Sequence, residues 1–170
     1  MRVSVKPGER ALMQFSSADR QRTAVDWTHV PDAVAAAALA EAIERGPRYV
    51  TAGTTAIGSV ISQASEGFRN NGFEGARLAI DVSGDGRSNE GLLTPFARDR
   101  AAAAGITING LAILNEEPNL DRYYLENVIG GAGAFVSSAA DYQDFAAAIL
   151  AKLLREIGGL PLAQASQNLE

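Results

Sequence analysis

Residues 78–91 read LAIDVSGDGRSNEG, and this stretch decides the fold. An apolar run at residues 78–80 leads directly into Asp81, Ser83 and Asp85, with glycines at positions 84 and 86. Upstream, residues 53–58 read GTTAIG, a second loop with hydroxyl groups in front of a helical pattern. An apolar strand that ends in oxygen-bearing side chains is typical of a parallel α/β sheet, in which ligands bind at the carboxyl ends of the strands.

The sequence on either side of this stretch alternates between strand and helix patterns. Before it, we expect strands at residues 2–5, 10–16 and 23–27 and helices at 31–45 and 55–68. After it, we expect a helix at 92–104, a strand at 106–114, a helix at 120–128, a strand at 134–136 and a last helix that begins at Asp141. From residue 55 onward, this alternation predicts a mostly parallel sheet with helices on both faces, an α/β fold of three layers. The two strands at 10–16 and 23–27 predict an antiparallel hairpin at its edge.

The composition is that of one acidic globular domain, which we expect to cover residues 1–158 and to be followed by a flexible tail at 159–170. The net charge of −5 and the scattered arginines argue against binding to nucleic acid. The chain has no cysteine, which excludes disulfides and zinc–thiolate sites, and its single histidine, His29, excludes a multi-histidine metal site. No stretch has the ~20 apolar residues of a membrane span, and the first residues are not typical of a signal peptide.

Three segments of the chain resemble, in their order, a von Willebrand factor A domain. They are Leu12–Ser17, Gly53–Gly58 and Asp81–Gly86. Two later segments, Gly105–Leu111 and Val128–Phe135, resemble an uncharacterised and usually exported bacterial branch of that superfamily. The resemblance covers roughly residues 10–158, and it implies a von Willebrand A-like, Rossmann-like fold and an exported protein.

Members of this superfamily carry a metal-ion-dependent adhesion site that three loops build. The threonine of the second loop corresponds to Thr55, with Thr54 as the other register, and the aspartate of the third loop corresponds to Asp85, which Gly86 follows. The first loop, an Asp-x-Ser-x-Ser motif after the central strand, has no counterpart, so the resemblance implies a fold truncated at the N-terminus and a partial site. Hard oxygen ligands suit Mg²⁺ or Ca²⁺. Because only Thr55 and Asp85 are assigned, we expect this chain alone to bind either ion weakly.

Other interpretations of the acidic stretch are possible. Asp81, Ser83 and Asp85 themselves resemble the missing first motif, but the threonine loop should then follow them, and it precedes them. The same residues and Gly86 match the start of an EF-hand loop, but its twelfth position should be glutamate and is Leu92. An ordinary turn, in which these side chains bond to backbone donors, also fits the pattern.

The leading hypothesis is therefore a non-enzymatic module that binds a protein partner, or a second copy of itself, at the carboxyl edge of its sheet. One alternative is an assembly subunit that pairs through an exposed sheet edge without metal. Another is a metal-assisted hydrolase that uses Asp81 and Asp85. The sequence offers this enzyme no convincing general base, since His29 is remote and no motif surrounds it.

Overall fold

A computed structural model of the chain describes residues 8–50, 53–69, 71–75, 77–145, 147–149 and 152. Its elements, in chain order, are β1 (Gly8–Phe15), β2 (Gln21–Val30), α1 (Ala33–Arg45), α2 (Ile57–Gly67), β3 (Leu78–Gly84), α3 (Thr94–Ala103), β4 (Ile106–Ile113), α4 (Leu120–Tyr123) with a π-helical turn (Tyr124–Val128), and β5 (Val136–Ala139). Residues 145, 147–149 and 152 are also helical and are called the C-terminal helix below. The predicted strand at 2–5, the boundary at 158 and the tail at 159–170 lie outside the described residues.

The strands form an antiparallel hairpin and a parallel sheet, as the sequence predicts. The hairpin pairs β1 with β2, and the sheet has the order β3-β4-β5 with all strands parallel. Asp81 of β3 lies opposite Asn109 of β4. Helices flank the parallel sheet, so the α/β class and the Rossmann-like three-layer arrangement are confirmed. Among the described residues, the hairpin and the parallel sheet are separate hydrogen-bonded units.

The core lies between the parallel sheet and helices α2, α3 and α4. Every residue of β4 is buried, which explains its continuous apolar pattern, since a central parallel strand is covered on both faces. The main hydrophobic cluster joins α2, α3, the strands and the π-helical turn, and its members include Ile57, Ile61, Ile80, Val82, Ala97, Ile108 and Tyr124. This cluster fixes α2 and α3 in place beside β3, and so it positions the loops at the end of that strand.

Local sequence signals explain where several helices begin and end. Asp32 caps α1, because its carboxylate accepts hydrogen bonds from Val34 N at 3.0 Å and Ala35 N at 2.9 Å. Gly105 follows α3 with a φ of +80°, a backbone conformation that favours glycine. Asp141 accepts bonds from two following backbone N–H groups, at 2.7 and 3.0 Å, within a turn at residues 142–144, and the described helix begins at residue 145, four residues later than predicted.

The hairpin packs against the end of α2 that is remote from the candidate site and also reaches the site itself. Trp27 of β2 lies against Phe68, with ring centroids 5.3 Å apart. At the other end of the hairpin, Ser16 O accepts a hydrogen bond from Ala56 N at 2.8 Å. The turn of the hairpin therefore lies next to the loop before α2.

Candidate functional site at the carboxyl end of the parallel sheet

The two loops that the sequence singles out lie together in the structure. Thr55 N donates to Asn89 Oδ1 at 2.8 Å, and Asn89 N donates back to Thr55 O at 2.9 Å. The Ser88 hydroxyl donates to Thr55 O at 3.2 Å and accepts from Ile57 N at 3.1 Å, so it satisfies a free N–H group at the start of α2. Residues 53–58 and 85–90 thus form one interlocked surface, called the joined loops below.

Two glycines allow this close approach. A Cβ on Gly58 would lie 2.2 Å from Leu92 O, and a Cβ on Gly91 would lie 2.2 Å from Ser59 Oγ. Gly91 also has a φ of +77°, which other residues rarely adopt. The glycine content of these segments therefore has a packing reason that is independent of any ligand.

A third segment, the turn of the hairpin, contacts the joined loops through Glu90. One oxygen of the Glu90 carboxylate accepts from Ala18 N at 3.4 Å, and the other accepts from the Thr54 hydroxyl. The Thr55 hydroxyl is turned the other way, 3.8 Å from the position that a Cβ on Gly86 would take. Of the two threonine registers, Thr55 is the one that faces the Asp85–Gly86 segment.

Asp85 has an internal partner that no sequence pattern predicts. Its Oδ2 accepts a hydrogen bond from the hydroxyl of Tyr142, which lies 57 residues further along the chain. This bond is the main reason that the pKa of Tyr142 rises to about 12, with smaller contributions from burial and from the charges of Asp85 and Glu116. The carboxylate of Asp85 is therefore engaged by the segment that precedes the C-terminal helix.

Tyr124 lies directly beneath the same loop. It is fully buried, and its hydroxyl has no hydrogen-bond partner among the residues that the structure describes. A Cβ on Gly84 would lie 2.9 Å from this hydroxyl, and a Cβ on Gly110 would lie 2.7 Å from the ring. Burial, and then the charge of Asp85, raise the pKa of Tyr124 above its usual range. Tyr124 had no predicted role at the site; the glycines on two adjacent strands were the available signal, because they make room for its ring.

Asp81 is held on the sheet and not in the joined loops. Its Oδ1 accepts hydrogen bonds from Lys152 of the C-terminal helix and from Asn109 Nδ2, the latter at 3.3 Å. Lys152 is only 2% exposed, whereas the Asp81 side chain is 35% exposed, so the contact is partly buried. Asp81 and Asp85 therefore have separate partners, and His29 bonds to Glu9 at 3.0 Å in the hairpin.

The described residues do not complete a divalent metal site. Thr55 and Asp85 come from adjoining loops, but the hydroxyl of Ser88 and the amide of Asn89 bond to the backbone of the facing loop. Within the described ranges, no group of three or more acidic or histidine side chains could hold a metal ion. Two protein ligands leave most of the six or more positions around Mg²⁺ or Ca²⁺ to be filled from elsewhere. The residues present therefore do not fit a resident ion on their own.

The fold and the site define an α/β domain with a cluster of loops at the carboxyl end of a parallel sheet. The family described as "Protein of unknown function (DUF1194)" matches residues 4–161, and the chain belongs to this family. No functionally curated protein matches the chain.

Two solved structures share the fold. The conserved hypothetical protein BatB from Bacteroides thetaiotaomicron has a TM-score of 0.55 and 18% identity over 89% of this chain and 80% of its own. An aerotolerance-related membrane protein from Bacteroides fragilis NCTC 9343, crystallised with multiple mutations to serines, has a TM-score of 0.53 and 18% identity over 87% of this chain and 79% of its own. In the described part of the present chain, no helix has the length and apolar character needed to cross a membrane.

Proposed function

We propose that the chain is a non-enzymatic module that binds a protein partner through the joined loops. The observation that carries this proposal is the interlocking of residues 53–58 and 85–90 by reciprocal hydrogen bonds between Thr55 and Asn89. Such bonds make a preformed surface, and a preformed surface loses little conformational entropy when it binds. Its place at the carboxyl ends of the strands is where α/β folds bind their ligands.

The surface beside the joined loops is polar and carries both charges. Arg87 forms an ion pair with Glu117 at 2.6 Å, and its guanidinium lies 5.4 Å from the centre of the Tyr123 ring. A polar pocket of about 380 Å³ continues from there, and its lining residues are Arg87, Asn119, Arg122, Tyr123, Glu126 and Asn127. This mixture favours a partner with a polar, charged contact surface.

The contacts of the acidic residues support binding over catalysis. A hydrolase that used Asp81 and Asp85 together would need both carboxylates at one reacting centre, yet Asp81 bonds to Lys152 and Asp85 bonds to Tyr142. Divalent metal takes part in this proposal only where the partner supplies further oxygen ligands to Thr55 and Asp85.

A second candidate function, assembly through strand edges, has its own support. β1 pairs on one side with β2, and β3 pairs on one side with β4; within the described residues, the other edge of each strand has no strand beside it. An edge with free backbone groups can accept an extended segment of another chain. This mode needs neither Asp85 nor metal.

Photo-crosslinking in the native host separates the two candidates. A photo-reactive amino acid replaces Glu116, an exposed residue near Tyr142, and in a matched control it replaces Glu44, an exposed glutamate of α1. We expect a discrete adduct from position 116, no such adduct from position 44, and loss of the adduct when Asp85→Ala is added. Equal adducts from both positions would overturn binding through the joined loops. An oligomer that light scattering detects equally in wild type and Asp85→Ala would favour assembly through strand edges.

A further inference from the structure

We propose that Tyr142 competes with a partner for binding to Asp85. In the free chain the Tyr142 hydroxyl is hydrogen-bonded to the Asp85 carboxylate, and a partner must displace this hydroxyl to bind there. This inference rests on the proposed function, because it describes how the same site is regulated. The competing group of the partner is a cation or a hydrogen-bond donor, since Asp85 Oδ2 is an acceptor in its bond with Tyr142.

The exposure of Tyr142 makes this contact displaceable. The residue is 59% exposed, so its ring gains little from burial and its placement depends largely on the bond to Asp85. Water, or a group of a partner, can reach the bond from outside. A hydrogen bond at the surface exchanges with solvent at a small net cost.

The same segment has a second contact, with Asp81 of β3, that is harder to break. Lys152 is 2% exposed and the Asp81 side chain is 35% exposed, so losing this partly buried ion pair costs more than losing a surface hydrogen bond. Tyr142 lies in the turn before the C-terminal helix, whose first described residue is 145. Asp81 lies within β3 and Asp85 directly follows its last residue, so the two contacts involve separate parts of this stretch.

The C-terminal segment is therefore attached at two places, at Lys152 through its bond to Asp81 and at Tyr142 through a more exposed bond to Asp85. Lys152 holds the helix on the sheet while the Tyr142 end is released. Release of Tyr142 therefore exposes the Asp85 carboxylate while Lys152 keeps its bond to Asp81.

The test uses Mn²⁺ alone as a probe of the Asp85 carboxylate in the full chain. Paramagnetic broadening of the amide signals of Gly84 and Gly86 reports Mn²⁺ at Asp85. Tyr142→Phe removes the hydroxyl and keeps the ring, and Tyr49→Phe is the matched control, since Tyr49 is an exposed tyrosine that lies against Arg22. We expect Tyr142→Phe to bind Mn²⁺ about fivefold more tightly, the effect of one surface hydrogen bond, and Tyr49→Phe to match the wild type.

The outcomes distinguish this inference from the proposed function. Unchanged Mn²⁺ affinity in Tyr142→Phe would overturn the competition, whatever the crosslinking from position 116 shows. Tighter Mn²⁺ binding together with a stronger crosslink in Tyr142→Phe supports both proposals. If Mn²⁺ binding tightens but the crosslink is insensitive to both Tyr142→Phe and Asp85→Ala, the partner does not use Asp85. The proposed function then fails, and regulation of partner binding by Tyr142 fails with it.

Discussion

The buried hydroxyl of Tyr124 leads us to predict that its removal stabilises the fold. The residue is 0% exposed, and its hydroxyl has no hydrogen-bond partner among the described residues. Burying a hydroxyl without a partner costs about 1–3 kcal/mol in proteins. Tyr124→Phe removes this cost and keeps the ring that packs over Gly84 and Gly110. We therefore expect the variant to be more stable than the wild type by about 1 kcal/mol.

Urea unfolding, monitored by circular dichroism, measures this increase in the free energy of unfolding. The increase corresponds to a rise in Tm of about 2–4 °C for a chain of this size. The neighbouring tyrosine provides a matched control. The Tyr123 hydroxyl accepts a hydrogen bond from Ser88 N at 3.3 Å, so Tyr123→Phe should lower the free energy of unfolding by about 0.5–1 kcal/mol. The two adjacent substitutions have the same chemistry and opposite expected signs.

A loss of stability in Tyr124→Phe would refute this reasoning. A loss of about 1 kcal/mol or more would mean that the hydroxyl has a partner in solution, such as a buried water molecule between Tyr124 and the Gly84–Asp85 backbone. That result would make the space beneath Asp85 a hydrated part of the site. Equal losses in both phenylalanine variants would mean that the two hydroxyls are bonded alike.

Four further predictions follow from the same contacts. Gly110→Ala should destabilise the fold by about 1–3 kcal/mol in urea unfolding, because its Cβ would lie 2.7 Å from a buried tyrosine ring. Lys152→Met should cost about 1–2 kcal/mol, less than a fully buried pair because Asp81 is partly exposed, and a double-mutant cycle with Asp81→Asn should show coupling between the two sites. Since the pKa of Tyr142 is raised to about 12, the stabilisation from its protonated form is present below pH ~10 and is lost as the pH rises through 12; Asp85→Ala should lower that pKa in an ultraviolet titration. Calorimetry with Mg²⁺ should show no micromolar binding to the chain alone, and tight binding abolished by Asp85→Ala would contradict this.

The elements of the fold could be predicted because each has a local signal. The unbroken apolar run of β4 reflects burial on both faces, and Asp32 marks the start of α1 through its own hydrogen bonds. The observed boundaries of the elements differ from the predicted ones by a few residues where local signals were weak. The strand that starts with the apolar run at residues 78–80 continues to Gly84, because its backbone pairs with β4 beyond that run.

The meeting of the two site loops was also accessible from the sequence. The predicted order of elements puts both loops at the carboxyl end of the parallel sheet, and loops at the same end of such a sheet come close together. The roles of Tyr142, Lys152 and Tyr124 could not be predicted in this way. The first two reach Asp85 and Asp81 across 57 and 71 residues of chain, and such pairings leave no periodic pattern in a single sequence.

The acidic stretch shows that carboxylates close together in the sequence need not belong to one site. Asp81 and Asp85 are four residues apart and resemble one ion-binding group, but Asp81 belongs to β3 and Asp85 lies just beyond its end. The strand holds Asp81 on the sheet, where it pairs with Lys152, whereas the bend at Asp85 and Gly86, directly after the strand, places Asp85 in the joined loops. Both carboxylates thereby hold the C-terminal segment against β3. Any ligand that takes Asp85 must compete with this segment, so the availability of the site and the position of the C-terminal helix are linked by the same four residues.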